Sequence, residues 1–284
     1  MRRSTFCAAA GAFAAAAVPW PVRAARPGSG LEGRAAVPVV RARIATVELV
    51  LAIDTGNGSS TLSLRAADLL GLAHAPIPVG AAAGTTLRGV ELAGATLRDH
   101  AAVLISDDTV AQLRGLANYA IDGSLGYDAF KDRVVTIDYA GGRLLFPDVM
   151  PDGEITPITW QKYTDRSPQL VTFDGLNVDG FPVTAQLDTM MSKNAIIFTT
   201  KLPDLAVDAE LRAPNFRYEE ATLLPGRVGS LRLGVTLLAA HPIVYSADAS
   251  AHVPTTAIAI VVGDALFSKR AVTIDFPGST LIVT

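Results

Sequence analysis

The sequence predicts an all-β protein whose folded body contains two copies of one structural unit. Short apolar runs, broken by Gly, Pro and Asp, continue from Val37 to the end of the chain, and helical patterns are brief. This density of short strands is typical of an all-β fold. Residues 126–146 also resemble residues 263–283, and an Asp-Thr loop precedes each copy. Self-similarity of this kind indicates a duplicated unit.

The expected strands are rich in β-branched residues. Val47–Ile53 (VELVLAI) is the clearest example, and comparable runs lie at 101–105, 133–138, 170–173, 181–187, 242–245, 257–262 and 271–275. A few short helices are expected at 63–70, 127–131 and 265–269.

The composition favours a globular chain with a substantial core. Half of the 284 residues are hydrophobic, 18% are charged, and the formal net charge is −3. A disordered chain would be more polar. No run of Lys and Arg suggests a nucleic-acid partner. The four histidines are scattered without the spacing of a metal site, so we expect neither a metal nor another cofactor.

The N-terminus predicts export from the cytoplasm. Arg2 and Arg3 precede an apolar stretch from Phe6 to Trp20, and residues 22–25 offer small-residue cleavage sites. The stretch is too short and too rich in alanine to span a membrane, so residues 1–25 are interpreted as a signal peptide without a stable membrane anchor. Both the twin-arginine and the ordinary secretory route remain open. We therefore expect a periplasmic or secreted protein.

The signal peptide also contains the single cysteine, Cys7. Its removal leaves a mature chain without a disulfide, although the destination permits one. The stability of the mature protein must then come from the packing of its core.

The internal repeat sets the expected domain organisation. Aligned without gaps, the two 21-residue segments agree at nine positions and share a Val-Thr-Ile-Asp block. Asp138 and Asp275 end these blocks just before glycine-containing turns, so we interpret them as turn-forming residues. The predicted parts are a flexible arm (26–36), an N-terminal unit (37–148), a linker (149–156) and a C-terminal unit (157–284).

Each unit has a strand that ends in Asp-Thr, at Asp54 and Asp188. Two related units can bring such loops face to face, and two close carboxyl groups cannot both ionise easily, so they share one proton. The ionised member can act as a base towards water, while the protonated member hydrogen-bonds to a carbonyl. The simpler readings are a helix-capping role for Asp54 and a structural remnant at Asp188.

Three neighbours of these acids are expected to support the loops. The hydroxyl groups of Thr55 and Thr189 can fix each loop from behind, and Gly56 lets backbone N–H groups approach a carboxylate.

These motifs resemble those of the retropepsin-like and pepsin-like aspartic proteases. The resemblance rests on Ile53–Ser63 (IDTGNGSSTLS), on Asp122–Gly126 (DGSLG) leading to Val135–Asp138, and on Val261–Asp264 (VVGD) leading to Val272–Asp275. It covers nearly all of residues 37–284.

The resemblance implies a bilobal architecture of two homologous small β-barrels with a few short helices. It also implies that Asp54 and Asp188 are the catalytic pair of an aspartic endopeptidase. A peptide or protein substrate would then bind in the cleft between the lobes, and the enzyme would be a cofactor-free monomer.

The second motif departs from the family pattern, because it reads Asp188-Thr189-Met190 rather than Asp-Thr-Gly. Methionine avoids positive φ and fills space beside the carboxylate. Lys193, if turned inward, would pair with a carboxylate and lower its pKa. The expected flap hairpin, near residues 78–92, is short and lacks a tyrosine.

Two alternatives to a two-Asp protease therefore stay open. One is a pseudoprotease that works as a periplasmic peptide-binding or scaffolding protein. The other is a homodimer in which only the first Asp lobe is active and the second is structural.

Overall fold

The computed structural model describes most of the chain beyond its N-terminus. The described residues are 28–33, 36–78, 81–162, 169–202, 204–205, 207, 216–218, 221–247 and 258–284. The predicted signal peptide lies outside them. The described chain is an all-β fold with few helices, as the sequence predicts. None of its helices is long and apolar enough to cross a membrane.

The strands of the N-terminal part are β1 (Ser29–Gly30), β2 (Val39–Ile44), β3 (Val47–Ile53), β4 (Ser60–Ser63), β5 (Ala82–Leu87), β6 (Val90–Leu92), β7 (Ala95–Thr96), β8 (His100–Ile105), β9 (Gly123–Leu125), β10 (Val134–Asp138) and β11 (Arg143–Leu145). Those of the C-terminal part are β12 (Ile155–Lys162), β13 (Gln169–Val178), β14 (Phe181–Asp188), β15 (Ala195–Phe198), β16 (Phe216–Tyr218), β17 (Ala221–Arg227), β18 (Ser230–Leu233), β19 (Thr236–Ala240), β20 (Ile243–Ala247), β21 (Ile260–Gly263), β22 (Ala271–Asp275) and β23 (Thr280–Val283).

The helices are short, and one of them was not expected from the sequence. They are α1 (Leu64–Leu69), α2 (Asp107–Ala117), α3 (Tyr127–Phe130) and a 3₁₀ turn at Asp264–Phe267. The helix α2 was not among the sequence expectations, although Val110, Leu113 and Ala117 recur along it at helical spacing. Its start is nevertheless marked, because the Ser106 side chain caps the N-terminus.

The strands form two sheets that divide near residue 130. Strands β2 to β9 make an eight-stranded sheet in the order β5-β8-β4-β9-β3-β2-β6-β7. The remaining strands belong to a fifteen-stranded sheet, which includes β1, β10 and β11 from the N-terminal part. The N-terminal part therefore contributes strands to both sheets.

The same strand arrangement occurs once in each half of the chain. The strand that ends in Asp54 (β3) pairs in parallel with β9, which pairs with β4, which pairs in parallel with β8. The strand that ends in Asp188 (β14) pairs in parallel with β21, which pairs with β15, which pairs in parallel with β20. Duplicated sequence has therefore produced duplicated topology.

The two copies meet along a pseudo-twofold axis between β10 and β22. These strands are antiparallel, and Thr136 pairs with Thr273 at their centre. The two threonine hydroxyls are hydrogen-bonded at 2.8 Å. Because the sequence repeat aligns the same two threonines, each copy presents the same residue to the other at this axis.

Asp138 and Asp275 form turns, as the sequence predicts. The N–H of Gly141 donates to the Asp138 carboxylate at 2.6 Å, and the N–H of Gly278 donates to the Asp275 carboxylate at 2.8 Å. A Cβ on either glycine would lie within 2.2 Å of a carboxylate oxygen, so both turns need glycine.

The predicted flexible arm is partly docked. Ser29 pairs with Leu144 at the edge of the large sheet, and the Leu31 N–H donates to the Gly142 carbonyl at 2.8 Å. A Cβ on Gly28 would lie 2.4 Å from the side chain of Leu145. The small residues that suggest mobility in the sequence thus allow close contact with β11 instead.

Candidate active site

Asp54 and Asp188 occupy equivalent positions at the ends of β3 and β14. Each is 7% exposed. The N–H of Asp54 donates to the Leu125 carbonyl of β9 at 2.9 Å, and Asp188 is paired with Gly263 of β21. The parallel partner strand therefore fixes where each Asp strand ends.

Buried hydrogen bonds made by Thr55 and Thr189 hold the two Asp loops together. The N–H of Thr55 donates to Oγ1 of Thr189 at 3.0 Å, and the N–H of Thr189 donates to Oγ1 of Thr55 at 3.1 Å. Each hydroxyl then donates across the same interface, from Thr55 to the Leu187 carbonyl at 2.9 Å and from Thr189 to the Ile53 carbonyl at 2.6 Å. The support expected of the threonines thus acts between loops rather than within one loop.

Gly56 is needed because the Asp188 carboxyl group lies against it. A Cβ at this position would sit 2.5 Å from Cγ of Asp188 and within 2.8 Å of both carboxylate oxygens. Positive φ is not the reason, because neither Gly56 nor Met190 is among the residues with positive φ. The close approach also shows that the loop of Asp54 touches the carboxyl group of Asp188.

The environment of Asp54 favours its protonated form. Burial raises the pKa of Asp54 well above its ordinary value, and the nearby Asp188 charge raises it further. Hydrogen bonds from the N–H groups of Gly56 and Asn57 and from the Ser124 hydroxyl act in the opposite direction. Burial and like charge prevail, so Asp54 binds a proton that an exposed aspartate would release.

Met190 keeps the backbone contact of the loop that glycine makes in the other half. Its N–H donates to Oδ1 of Asp188 at 2.9 Å, as the N–H of Gly56 does to Asp54. The expected conflict between methionine and a positive φ in this loop is therefore absent. The side chain is 5% exposed and belongs to a buried apolar cluster on the N-terminal half, with Val37, Val39, Ala52, Ala117 and Ile121.

The methionine nevertheless breaks the symmetry of the pair. With strictly equivalent loops, the Met190 Cβ would lie as close to Asp54 as the Gly56 position lies to Asp188, at 2.5 Å. Side-chain carbons do not approach so closely. The surroundings of the two carboxyl groups must therefore differ.

A capping role for Asp54 is corrected by the structure. Asp54 does not cap α1, because the Ser63 hydroxyl accepts the capping hydrogen bond from the Ala66 N–H at 3.0 Å. Lys193 does lower the pKa of a carboxyl group, that of Asp264, while its ammonium lies 5.9 Å from the Tyr245 ring centre.

The region expected to form the flap is described over residues 78 and 81–92. It contributes β5 at the edge of the smaller sheet, where β8 is its one neighbour among the described strands. A turn precedes it, with a hydrogen bond from the Ala81 N–H to the Pro78 carbonyl at 3.0 Å.

Sequence reasoning missed three polar residues near the pair. Ser124 lies on β9 and donates from Oγ to Oδ2 of Asp54 at 3.5 Å. Gln186 is fully buried two residues before Asp188, and neither of its amide atoms has a partner within the described part of the chain. Asp264 is 8% exposed, and burial raises its pKa to about 8. A polar residue inside an otherwise apolar buried strand is the signal that could have found the first two.

Within the described ranges, no group of three or more His, Cys, Asp or Glu side chains is arranged to hold a metal ion. No protein-family model matches the sequence, and no curated protein matches it closely enough to count as a relative.

Proposed function

We propose that this chain is an exported aspartic endopeptidase in which Asp54 and Asp188 jointly activate water. The observation that carries the proposal is the reciprocal hydrogen bonding of Thr55 and Thr189, which brings one buried carboxyl group from each half to a common place. A pair that shares one proton contains an acid and a base at the same pH.

The asymmetry of the pair suggests the role of each acid. Asp54 is the protonated member, because burial and the Asp188 charge raise its pKa. Asp188 is the ionised member and removes a proton from water as the water oxygen attacks the peptide carbonyl. The Asp54 carboxyl donates a hydrogen bond to the carbonyl oxygen, which gains negative charge. Asp188 then passes its new proton to the leaving nitrogen as the C–N bond breaks, giving an amine and a carboxylic acid.

We further propose a bilobal pepsin-like architecture, with the substrate in a cleft between two lobes. The repeated strand order and the Thr136–Thr273 axis support two equivalent lobes. The free edge of β5 is suited to pairing with an extended peptide, since backbone groups of an edge strand lack a second neighbour. The pair already contains one acid from each half, so the protease would act as a monomer.

The alternative is a pseudoprotease that binds peptides or acts as a periplasmic scaffold. Met190 favours it, because its side chain occupies the place where the family has glycine and makes the two loops unequal. A gain of cleavage in Met190→Gly from an inactive parent would favour this second function.

The proposal is tested by cleavage of a mixed peptide library, with products identified by mass spectrometry, from pH 3 to pH 8. We expect Asp54→Asn and Asp188→Asn each to abolish cleavage, and a pepstatin-type transition-state mimic to inhibit the parent. Asp138→Asn and Asp275→Asn are matched controls, because these aspartates also follow strands in the two halves but lie in turns. Full activity of either Asp54→Asn or Asp188→Asn would rule out the two-acid mechanism.

A further inference from the structure

An apolar cluster of the N-terminal half contains one side chain from the other half. Its buried members are Val37, Val39, Ala52, Ala117, Ile121 and Met190. All of them except Met190 lie within residues 37–121. Partly buried residues, among them Leu113 and Leu116, pack against the cluster, so it extends to the protein surface. Met190 therefore fills a recess that residues of the N-terminal half form.

This recess borders the carboxyl pair. Ile53 packs in the main core, whereas Ala52 packs in the cluster. Because successive side chains of an extended chain point to opposite faces, Asp54 lies on the same face as Ala52. The Met190 N–H donates to Oδ1 of Asp188 at 2.9 Å. The residue that fills the recess is thus bonded to one acid, and the recess itself lies on the face of the other.

The recess has room for a long side chain because Ala52 is small. The residue two places before the acid is Ala52 in the N-terminal half and Gln186 in the C-terminal half. Both residues are fully buried. An alanine in the place of a glutamine leaves space on one side of the pair only. Methionine suits such a space, since its unbranched side chain adapts to irregular gaps.

The next residue, Met191, provides an internal comparison. It is 2% exposed, and it packs in a cluster whose members all lie between residues 170 and 261. Two consecutive buried methionines therefore fill one cluster in each half. Of the two, only Met190 packs against the half to which it does not belong.

We propose that this recess is a pocket for an apolar substrate side chain next to the cleaved peptide bond, and that Met190 occupies it as an internal stand-in. The side chain that fits the pocket is unbranched and aliphatic, as that of methionine is. The inference rests on the proposed function as far as cleavage is concerned. The pocket is a property of the fold and can be tested without a substrate.

Met190 is then a specificity-determining residue. A substrate with alanine beside the cleaved bond leaves Met190 in place, whereas a longer side chain has to displace it. The parent protein should therefore prefer small residues at this position. Shortening Met190 should open the pocket and shift the preference towards longer unbranched side chains, since each methylene group bound in an apolar pocket changes kcat/KM by about tenfold or more.

The first test is the binding of dimethyl sulfide to Met190→Ala. This substitution removes Cγ, Sδ and Cε, and dimethyl sulfide has the same heavy atoms. We expect a saturable shift of the Ile121 methyl signal in NMR spectra, because an apolar cavity accepts an apolar ligand. The signal is assigned by its loss in Ile121→Val. The parent should show no saturable shift, because its recess is already filled.

Met191→Ala is the matched control, because it removes the same atoms from the cluster of the other half. Dimethyl sulfide should leave the Ile121 signal of this variant where it is. An unmoved Ile121 signal in Met190→Ala, or an equal shift in Met191→Ala, would overturn the pocket.

The second test compares peptides that differ only in the residue beside the cleaved bond, on each side in turn. In Met190→Ala the kcat/KM ratio of the norleucine peptide to the alanine peptide should rise by about tenfold or more. Met190→Val leaves more of the packing in place, and its ratio should rise in the same direction even if Met190→Ala does not fold. Met191→Ala should keep the parental ratio. A ratio that is the same in the parent and in the Met190 variants would overturn the specificity role.

The two tests separate the pocket from the proposed function. Binding of dimethyl sulfide in Met190→Ala, without cleavage by any variant, would refute the proposed function and leave an apolar binding pocket. Cleavage that needs Asp54 and Asp188, with an unmoved Ile121 signal and an unchanged ratio, would refute the pocket alone.

Discussion

Replacing Thr189 by valine should destabilise the protein, because the hydroxyl group joins the two halves at the candidate site. Valine keeps the shape of threonine but removes two hydrogen bonds, the acceptor for the Thr55 N–H at 3.0 Å and the donor to the Ile53 carbonyl at 2.6 Å. A buried group left without its partner costs about 1–3 kcal/mol. The free energy of unfolding should therefore fall by about 2–5 kcal/mol, a large share of the total for an ordinary domain.

The reciprocal geometry gives the same expectation for Thr55. Thr55→Val removes the acceptor for the Thr189 N–H at 3.1 Å and the donor to the Leu187 carbonyl at 2.9 Å. Because both threonines serve one network, the loss in the double variant should differ from the sum of the single losses by more than about 0.5 kcal/mol.

The assay is urea unfolding followed by circular dichroism. Thr189→Ser retains the hydroxyl and should lose about 1 kcal/mol, for the missing methyl group. Thr96→Val, at the exposed position of β7, is the surface control and should change stability by less than about 0.5 kcal/mol. The reasoning fails if Thr189→Val unfolds like Thr96→Val, or if the two losses in the double variant are simply additive.

Three further outcomes follow from the same site. Met190→Gly should lower the free energy of unfolding by about 2–5 kcal/mol in urea titrations, because removal of a side chain that is only 5% exposed leaves a cavity in its apolar cluster. An unchanged unfolding midpoint would contradict that packing. Ser124→Ala should raise the pKa of Asp54 in a carboxyl NMR titration, since a hydrogen bond to the ionised form is lost, whereas a fall would show that the hydroxyl does not act on this acid. The free energy of unfolding should decline as the pH rises from about 4 to about 8, because the folded state binds protons at Asp54 and Asp264 that the unfolded state has released. This decline should be smaller in Asp264→Asn. A decline of equal size in that variant would exclude Asp264 as a contributor.

Much of the fold could be predicted because the sequence contains it twice. Every strand expected from β-branched runs is present, including those that end in Asp54 and Asp188. The Val-Thr-Ile-Asp blocks became β10 and β22, and the structure pairs these two strands at the pseudo-twofold axis. A duplicated pattern constrains topology more strongly than the propensity of either copy alone.

Contacts between the halves were harder to foresee. Thr55 and Thr189 were expected to brace their own loops, but their hydrogen bonds cross from one half to the other. The pairing of β10 with β22 likewise joins residues that lie far apart in the sequence. Local periodicity carries no information on such contacts.

The consequence of Met190 was foreseen only in part. The sequence suggested that this position needs both positive φ and space beside a carboxylate, and the structure shows at Gly56 only the need for space, beside Asp188. In the second loop the methionine finds space against the N-terminal half, where Ala52 contributes only a small side chain. Steric demand at such a position depends on the opposite half, which a motif does not display.

The most direct measurement is the carboxyl titration of Asp54 in the parent and in Asp188→Asn, by ¹³C NMR of aspartate-labelled protein. In a shared site the charge of each acid shifts the pKa of the other. The pKa of Asp54 should therefore lie well above that of an ordinary aspartate in the parent, and it should be distinctly lower once Asp188 is neutral. An Asp54 pKa that is ordinary in the parent, or that does not move when Asp188 loses its charge, would contradict the claim that the two halves join their acids in one site.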